Sequence, residues 1–335
     1  MSAVKIGRSL IGDGRRSFII AEAGVNHNGS LRLARKLVDA AKKAGADAVK
    51  FQTFKIERLV IHGAPQFNML RKLELSDRDF VSLFRHCQKK RILFLSSPFD
   101  AESADLLEGL GVPAFKIGSG EITNFPLLKH VARKGKPVIL STGMSNLKEV
   151  SDAVKVIQKA GCRNFALLHC VSNYPADSKD VNLNAMETLR RKFRAPVGFS
   201  DHTLGKTVSL AAVALGACII EKHLTLDQKM RGPDHAASLE PEEFTALVRG
   251  IRTVEFALGE GRKIPARSER RTALVARRSL VAAENIKAGQ VITRSCVDIK
   301  RPGTGLKPGL LNRILGRTAR KDVTAGTLLS FGALR

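Results

Sequence analysis

Short apolar runs alternate with stretches of helical period from Phe18 to about residue 260. Each run is nearly all apolar until its last one or two residues, as a parallel strand is when helices cover its outer side. The eight runs are Phe18–Glu22, Ala48–Gln52, Ile92–Ser97, Ala114–Ile117, Pro137–Ser141, Phe165–Cys170, Val197–Ser200 and Cys218–His223. The segments between them predict helices, for example over Leu31–Ala44, Leu147–Ala160 and Thr207–Leu215.

Strand–helix alternation repeated about eight times predicts an α/β fold, a (β/α)₈ TIM barrel. A doubly wound open sheet is the structural alternative. No Gly-x-Gly-x-x-Gly motif opens the first crossover, which disfavours a dinucleotide-binding version of that alternative. The one long connection, Phe54–Ser76, exceeds a typical βα loop and predicts a lid or a dimer contact.

The composition and the hydrophobic pattern of the chain change after Gly261. Residues 262–278 are rich in Arg and show no clear strand, so we interpret them as a linker. Beyond them, Val281–Ile292 resembles Thr318–Leu329: in both, Asn or Asp precedes a β-branched residue, an Ala-Gly turn and an apolar run. We therefore predict a catalytic barrel over 1–261 and a small β-rich domain over 279–335.

Composition narrows the functional classes. Lys and Arg number 56 against 31 Asp and Glu, a net charge of +25 that could attract nucleic acid, anionic lipid or a phosphorylated substrate. Trp is absent and Tyr is single, so the nucleobases of a nucleic acid would have few aromatic side chains to stack on. We therefore favour a basic, solvated surface over nucleic-acid binding. No apolar run is long enough to cross a bilayer. Five Cys without metal-ligand spacing indicate reduced thiols in a cytoplasmic protein.

A polar residue closes nearly every predicted strand, where TIM barrels place their active sites. Polar groups buried at strand ends cost free energy unless they are partnered, so packing alone does not explain such a row. The row comprises Glu22, Lys50, Gln52, Ser97, Lys116, Ser119, Ser141, His169, Ser172, Tyr174, Ser200, His202, Glu221 and His223. Side chains alternate along a strand, which places Glu221 and His223 on one face.

His202 and His223 close adjacent strands, which lie only ~4.8 Å apart. Two neutral imidazoles at that separation can bind one divalent transition-metal ion and leave positions open for a substrate oxygen. A lone strand-end histidine is more often merely hydrogen-bonded. The pair in this setting favours a metal site.

Lys50 and Lys116 admit two interpretations. Each could be a point charge for phosphate or carboxylate, or one could form the Schiff base of an aldolase. The serines around them favour a site for a small, multiply charged anion such as an enol phosphate. Glu22 has the placement of a general base, of a group that orients a substrate hydroxyl, or of a salt-bridge partner for either lysine. Asp234 follows the last strand and could form an Asx turn or bind sugar hydroxyls.

Several long motifs resemble the sialic acid synthase family, which includes N-acetylneuraminate and other nonulosonic acid synthases. In the barrel they are residues 21–29 (AEAGVNHNG), 49–53 (VKFQT), 115–121 (FKIGSGE), 139–144 (ILSTGM), 198–203 (GFSDHT), 221–223 (EKH) and 232–234 (GPD). In the small domain, residues 300–303 (KRPG) match, and that domain is similar to the family's antifreeze-like (SAF) domain. The resemblance covers almost the whole chain.

The resemblance implies a fold, a reaction and site residues. Members condense phosphoenolpyruvate with an N-acylated mannosamine-type sugar in a (β/α)₈ barrel, with a divalent ion, often Mn²⁺ or Mg²⁺. By motif, His202 and His223 match the metal ligands. The positions matching phosphoenolpyruvate contacts are Lys50, Ser97, Lys116, Ser119, Ser141 and Ser200, and those matching sugar contacts are Glu22, Gln52, Tyr174 and Asp234. The family forms a domain-swapped homodimer, in which Arg301 would enter the partner's site.

From this resemblance we expect an N-acetylneuraminate synthase with Glu22, Lys50 and Lys116 as catalytic residues. N-acetylmannosamine is the default acceptor, and a 2,4-diacetamido-6-deoxyhexose, giving legionaminic or a related nonulosonic acid, is the alternative. Where some members place Asn two residues before the tyrosine, this chain has Ser172, with Asn173 next to it, and either could contact substrate. The competing hypotheses are a Schiff-base aldolase and a non-enzymatic module that binds nucleic acid or glycan.

Overall fold

The computed structural model describes residues 3–335, which divide into two compact units, one ending at Gly259 and the other spanning Glu260–Arg335. The boundary lies close to the predicted end of the barrel at residue 261. The segment predicted as a linker contains a helix, Glu269–Ala276. No helix within residues 3–335 is both long and apolar enough to cross a membrane.

The first unit is a barrel of eight parallel strands, so the predicted fold is confirmed. A hairpin, β1 (Val4–Ile6) and β2 (Ser9–Ile11), precedes it. The barrel strands are β3 (Phe18–Gly24), β4 (Ala48–Thr53), β5 (Leu93–Pro98), β6 (Phe115–Ile117), β7 (Val138–Ser141), β8 (Phe165–Cys170), β9 (Val197–Asp201) and β10 (Ile219–His223). Hydrogen bonds join them in the order β5-β4-β3-β10-β9-β8-β7-β6, and β5 packs beside β6 to close the barrel.

The longer helices surround the barrel because their apolar residues pack on the outer side of the strands. The helices of this unit are α1 (Leu31–Ala44), α2 (Ile56–Leu59), α3 (Phe67–Arg71), α4 (Asp77–Lys90), α5 (Ala101–Leu110), α6 (Phe125–Ala132), α7 (Leu147–Lys159), α8 (Ala185–Phe193), α9 (Thr207–Ala214) and α10 (Pro241–Leu258). The short helices α2 and α3 lie in the connection between β4 and α4. Capping residues determine where these helices begin and end, as α1 illustrates. The Ser30 side chain caps α1 at its start, and Gly45 ends it with a φ of 87° that an L-residue rarely adopts.

The interior of the barrel has two chemically different layers. The lower layer is apolar and is covered by the hairpin, which contributes Val4, Ile6 and Ile11 to the same cluster as Ile20 and Ala48. Two residues further along β3 and β4, the inward side chains are Glu22 and Lys50. The same step, repeated around the barrel, places charged and hydroxyl groups above an apolar base and directs them toward the C-terminal mouth.

The second unit has its own apolar core and contains α11 (Glu269–Ala276), β11 (Ser279–Ala282), β12 (Val297–Lys300) and α12 (Leu311–Ile314). The two similar segments predicted from sequence pair with each other. Ile286 and Val323 exchange both backbone hydrogen bonds at 2.8 Å. Asn285 Oδ1 accepts from Ala325 N, and the corresponding Asp322 Oδ1 accepts from Ala288 N, each at 2.8 Å. The internal repeat therefore encodes a local pseudo-twofold pairing.

Candidate active site

The C-terminal mouth of the barrel contains a cavity of about 350 Å³. It is lined by every predicted site residue of the first unit: Glu22, Lys50, Gln52, Ser97, Lys116, Ser119, Ser141, Ser172, Tyr174, Ser200, His202, His223 and Asp234. Arg301 lies on the second unit, just after β12, and is exposed. A larger cavity of about 560 Å³ between the 12–17 loop and the end of α10 contains none of these residues.

Four charged side chains form a compact buried cluster at the base of the cavity. Lys50 Nζ lies 3.3 Å from Glu22 Oε2 and 3.2 Å from Glu221 Oε1, and Lys116 Nζ lies 3.4 Å from the same Glu221 oxygen. Hydroxyls surround the ammonium groups: Lys116 donates to Ser141 Oγ at 2.8 Å and Lys50 to Ser97 Oγ at 3.4 Å.

The cluster sets the protonation states of its members. Burial raises the pKa of Glu22 to about 7, against the opposing effect of Lys50. Burial lowers the pKa of Lys116 to about 8, and Glu221 limits that fall. Burial alone would raise the pKa of Glu221, but Lys116 and Lys50 outweigh it and bring it to about 2. Glu221 is therefore ionised at neutral pH, whereas Glu22 can gain or lose a proton there.

Glu221 is the charged residue that the site prediction did not include. Besides its two ammonium neighbours it accepts a hydrogen bond from Ser200 Oγ at 2.9 Å. The strand alternation that places it on the face of His223 is the signal that could have identified it. Its pairing with both lysines depends on how three different strands come together, which the linear sequence does not display.

His202 and His223 face each other across β9 and β10, with ring centroids 5.5 Å apart. His202 Nδ1 lies 2.6 Å from the carbonyl oxygen of Val171 and so donates to it. Its Nε2 lies 3.5 Å from Ser200 Oγ, but the single proton of that hydroxyl goes to Glu221 Oε1, which leaves the Nε2 lone pair available. His223 Nδ1 is buried, has no hydrogen-bond partner and lies 3.8 Å from Asp234 Oδ2. Burial, with His202 and Lys50 nearby, holds the pKa of His223 well below 6.5, so its ring is neutral at pH 7.

These two rings fit a divalent metal ion that retains open positions. An unpartnered buried nitrogen and a tautomer fixed by a backbone carbonyl are features of metal-ligating histidines. Within residues 3–335, no group of three or more His, Cys, Asp and Glu has the arrangement of a metal site. The protein would therefore supply few ligands, leaving the rest of the coordination sphere to water or substrate.

Two glycines allow the walls of the cavity to approach closely. Gly24 has a φ of 51°, and a Cβ there would come within 3.2 Å of Glu22 Oε1 and 3.4 Å of Asp234 Oδ2. A Cβ on Gly143 would meet Ser172 Oγ at 2.3 Å and Ser119 Oγ at 2.8 Å. Gly143 N also donates to Ser119 Oγ at 3.0 Å, so the backbone itself forms part of the pocket.

Part of the cavity wall is apolar. That apolar wall consists of Val25, Met69, Leu70, Phe99 and Met144. Met69 and Leu70 belong to α3, within the long 54–76 connection that was predicted as a lid or a dimer contact. Of the two residues offered by the sequence, Ser172 lines the cavity and Asn173 does not.

A (β/α)₈ barrel with a charged, hydroxyl-lined mouth defines an enzyme-like site, and comparison with known proteins places it in a family. The NeuB family model matches residues 37–263, and the SAF domain model matches residues 277–335. The chain belongs to the NeuB family and carries a C-terminal SAF domain, as the motifs predicted.

Individual relatives cover nearly the whole chain. It is 46% identical to the N,N'-diacetyllegionaminic acid synthase of Campylobacter jejuni, over 94% of this chain and 99% of that protein. It is also 46% identical to the enzyme of the same name from Legionella pneumophila, over 95% and 94% of the two chains. A crystal structure of N-acetylneuraminic acid synthetase from Leptospira borgpetersenii, in complex with citrate, superposes with a TM-score of 0.77 at 40% identity, covering 81% of this chain and 95% of that one.

Proposed function

We propose that this protein is a metal-dependent nonulosonic acid synthase that condenses phosphoenolpyruvate with the open-chain form of a 2,4-diacetamido-6-deoxyhexose and releases phosphate. The observation that carries the proposal is the buried cluster of two ammonium groups and serine hydroxyls at the barrel mouth. The lysines Lys50 and Lys116 are almost fully buried. A cavity with buried, fixed cations and hydroxyl donors is suited to a small, doubly charged enol phosphate.

His202 and His223 would hold a divalent ion such as Mn²⁺ or Mg²⁺. When bound, such an ion supplies Lewis-acid polarisation of the acceptor's aldehyde oxygen. Tyr174 stacks on the His202 ring with centroids 4.1 Å apart, which keeps that ring in place. Asp234, on the loop beyond β10, could accept hydrogen bonds from sugar hydroxyls beside the two rings.

In the proposed reaction, the C=C π electrons of phosphoenolpyruvate form a bond from its methylene carbon to the aldehyde carbon, and the C=O π electrons move to the aldehyde oxygen, which gains a proton to become a hydroxyl group. Lys50 and Lys116 balance the negative charge of phosphoenolpyruvate. Positive charge develops at the carbon bearing the phosphate, and water adds there. Glu22, with a pKa near 7, can accept the proton of that water. The tetrahedral intermediate then releases phosphate. Gln52 Nε2 donates to Glu22 Oε1 at 3.3 Å and orients the carboxylate.

The comparisons support the diacetamido acceptor better than N-acetylmannosamine, which was the first expectation from sequence. Both relatives at 46% identity are named legionaminic acid synthases, whereas the N-acetylneuraminic acid synthetase is 40% identical. The apolar wall around Met69 and Phe99 is compatible with a methyl group in place of a hydroxymethyl group.

Acceptor identity is tested by supplying phosphoenolpyruvate and Mn²⁺ with a panel of sugars and measuring phosphate release and product mass. We expect the highest kcat/KM with 2,4-diacetamido-2,4,6-trideoxymannose. A higher kcat/KM with N-acetylmannosamine would reverse the assignment in favour of the first expectation. Phosphate release that is independent of every sugar would exclude a synthase.

A Schiff-base aldolase is distinguished by borohydride trapping. The pKa of Lys116, lowered to about 8, is the one observation that favours it, since a less basic amine is a better nucleophile. A synthase of the proposed type forms no imine, so incubation with phosphoenolpyruvate or pyruvate and borohydride should leave the protein mass unchanged. A covalent adduct at Lys116 would establish the aldolase instead.

We also propose a domain-swapped homodimer in which Arg301 of the partner subunit contacts the sugar. Mixed dimers of Arg301→Ala and Glu22→Gln protomers test this arrangement. In a swapped dimer, one of the two sites of a mixed dimer combines an intact Glu22 with an intact Arg301. Mixing should therefore restore activity at low sugar concentration, and no restoration in verified mixed dimers would contradict the swap.

A further inference from the structure

A buried ion pair lies directly behind the two histidines. Asp201 precedes His202 on β9, and Lys222 precedes His223 on β10. The two residues are register partners in the parallel pairing of these strands. Their side chains are completely buried, with Lys222 Nζ 3.1 Å from Asp201 Oδ2. Because side chains alternate along a strand, the pair points to the outer side of the barrel while the imidazoles point to the mouth.

The carboxylate of Asp201 is fully hydrogen-bonded. Its Oδ1 accepts from both the backbone N–H and the hydroxyl of Thr203, each at 2.8 Å. Its Oδ2 accepts from Ser209 Oγ of α9 at 2.5 Å, in addition to the contact with Lys222. The ammonium group of Lys222 in turn donates to the carbonyl oxygen of Thr203.

This network holds the backbone in place immediately before and after His202. Asp201 and Thr203 are its immediate neighbours, and both are bound into the network. The carbonyl of His202 itself accepts from Ala176 N at 2.9 Å. On the other strand, Lys222 is the residue before His223, and its ammonium group is held by Asp201 and by the carbonyl oxygen of Thr203. The ion pair thus adds a side-chain link between the two strands, next to both rings, to the backbone pairing that joins them.

Stability alone gives a weak reason for such a pair. Two buried charges lose their hydration, and apolar residues of similar volume often serve stability equally well or better. Geometry gives a stronger reason, since a displacement of about 1 Å in a catalytic group can reduce a rate by about a hundredfold. We propose that Asp201 and Lys222 are positioning residues that set the separation and orientation of His202 and His223 for metal binding. This inference rests on the proposed metal-dependent function.

The test replaces both charges together, because removing one would leave the other buried and unpaired. Asp201→Leu combined with Lys222→Met removes both charges and keeps the volume approximately, but it leaves the donors of Thr203 and Ser209 without their acceptor, so we expect a Tm several degrees below that of the wild type. We expect its Mn²⁺ dissociation constant, measured by the electron paramagnetic resonance signal of free Mn²⁺, to rise at least tenfold. We expect kcat to fall while the KM for phosphoenolpyruvate changes little. A matched control is Asp47→Leu combined with Arg252→Met. It removes a partly buried ion pair between the residue before β4 and α10, and it should leave Mn²⁺ affinity unchanged.

The outcomes separate this inference from the proposed function. Equal Mn²⁺ affinity in the folded double variant and the wild type would overturn the positioning role while leaving the synthase intact. Absence of Mn²⁺ binding by the wild type would overturn the metal proposal and this inference together. If the double variant does not fold, Lys222→Arg is tested instead, because it keeps the positive charge but changes the length and shape of the side chain that pairs with Asp201. Weaker Mn²⁺ binding at an unchanged Tm then supports the positioning role, and unchanged affinity contradicts it.

Discussion

Replacing Glu221 by Gln should remove a positive charge from the substrate site as well as a negative one. In this variant Lys50 would still have Glu22 as an ion-pair partner at 3.3 Å. Lys116 has no carboxylate other than Glu221 within 4.0 Å in the described part of the chain. The pKa of Lys116 is already lowered by burial to about 8, and Glu221 is what limits the fall. Without Glu221 that pKa should fall further, so Lys116 loses positive charge at neutral pH.

The magnitude follows from the role of that ammonium group. Losing one fixed electrostatic partner of a charged substrate in a dry site costs about 3 kcal/mol, or roughly a hundredfold in rate. Breaking a buried ion pair from one side also costs roughly 3–5 kcal/mol of folding stability, less where a hydrogen bond to Gln remains. We therefore expect kcat/KM for phosphoenolpyruvate to fall by about a hundredfold, together with a lower midpoint of urea unfolding.

The assay is phosphate release at saturating sugar and Mn²⁺, with phosphoenolpyruvate varied. Glu187→Gln serves as the control, since Glu187 pairs with Arg190 and Arg191 on the surface of α8. That control should leave kcat/KM unchanged. A value for Glu221→Gln within about threefold of the wild type would refute the reasoning that Glu221 sustains the charge of Lys116.

Three further predictions follow from the same structure. Glu22→Gln should bind phosphoenolpyruvate with wild-type affinity by calorimetry but lose turnover; full activity would exclude its role as a base. Burial lowers the pKa of His27 to about 4, so as the pH falls from 6.5 toward 4 the unfolded state binds a proton that the folded state does not. The wild type should lose about 3 kcal/mol of stability in that window, and His27→Asn should lose correspondingly less by urea unfolding, whereas parallel pH profiles would contradict this. Arg301→Ala should raise the KM for the sugar and leave Mn²⁺ affinity unchanged; a normal KM would argue against sugar contact.

Much of the barrel follows from the sequence because parallel strands covered on both sides have a distinctive pattern. The eight apolar runs correspond to the eight barrel strands, and polar residues near their ends line the mouth. His169 is the exception: it lies outside the mouth cavity, with Nε2 2.6 Å from the carbonyl oxygen of Val181. The alternation of side chains also explains why Ile20 lies in the apolar layer and Glu22 in the polar one.

Other features depend on distances between strands and could not be predicted. The shared pairing of Glu221 with two lysines needs the register of β4, β6 and β10 in three dimensions. Asp201 and Lys222 look like ordinary strand residues until their register pairs them. The apolar wall from Met69 and Leu70 comes from a long connection whose path no periodic pattern defines.

The most direct measurement of the central claim is phosphate release from phosphoenolpyruvate and the 2,4-diacetamido sugar in three samples. These are the wild type with Mn²⁺, the wild type after EDTA treatment, and the His202→Ala, His223→Ala double variant with Mn²⁺. We predict turnover in the first sample only, with restoration of the second by added Mn²⁺. Undiminished turnover in the chelated enzyme or in the double variant would contradict a metal held by these two imidazoles beside the phosphoenolpyruvate site.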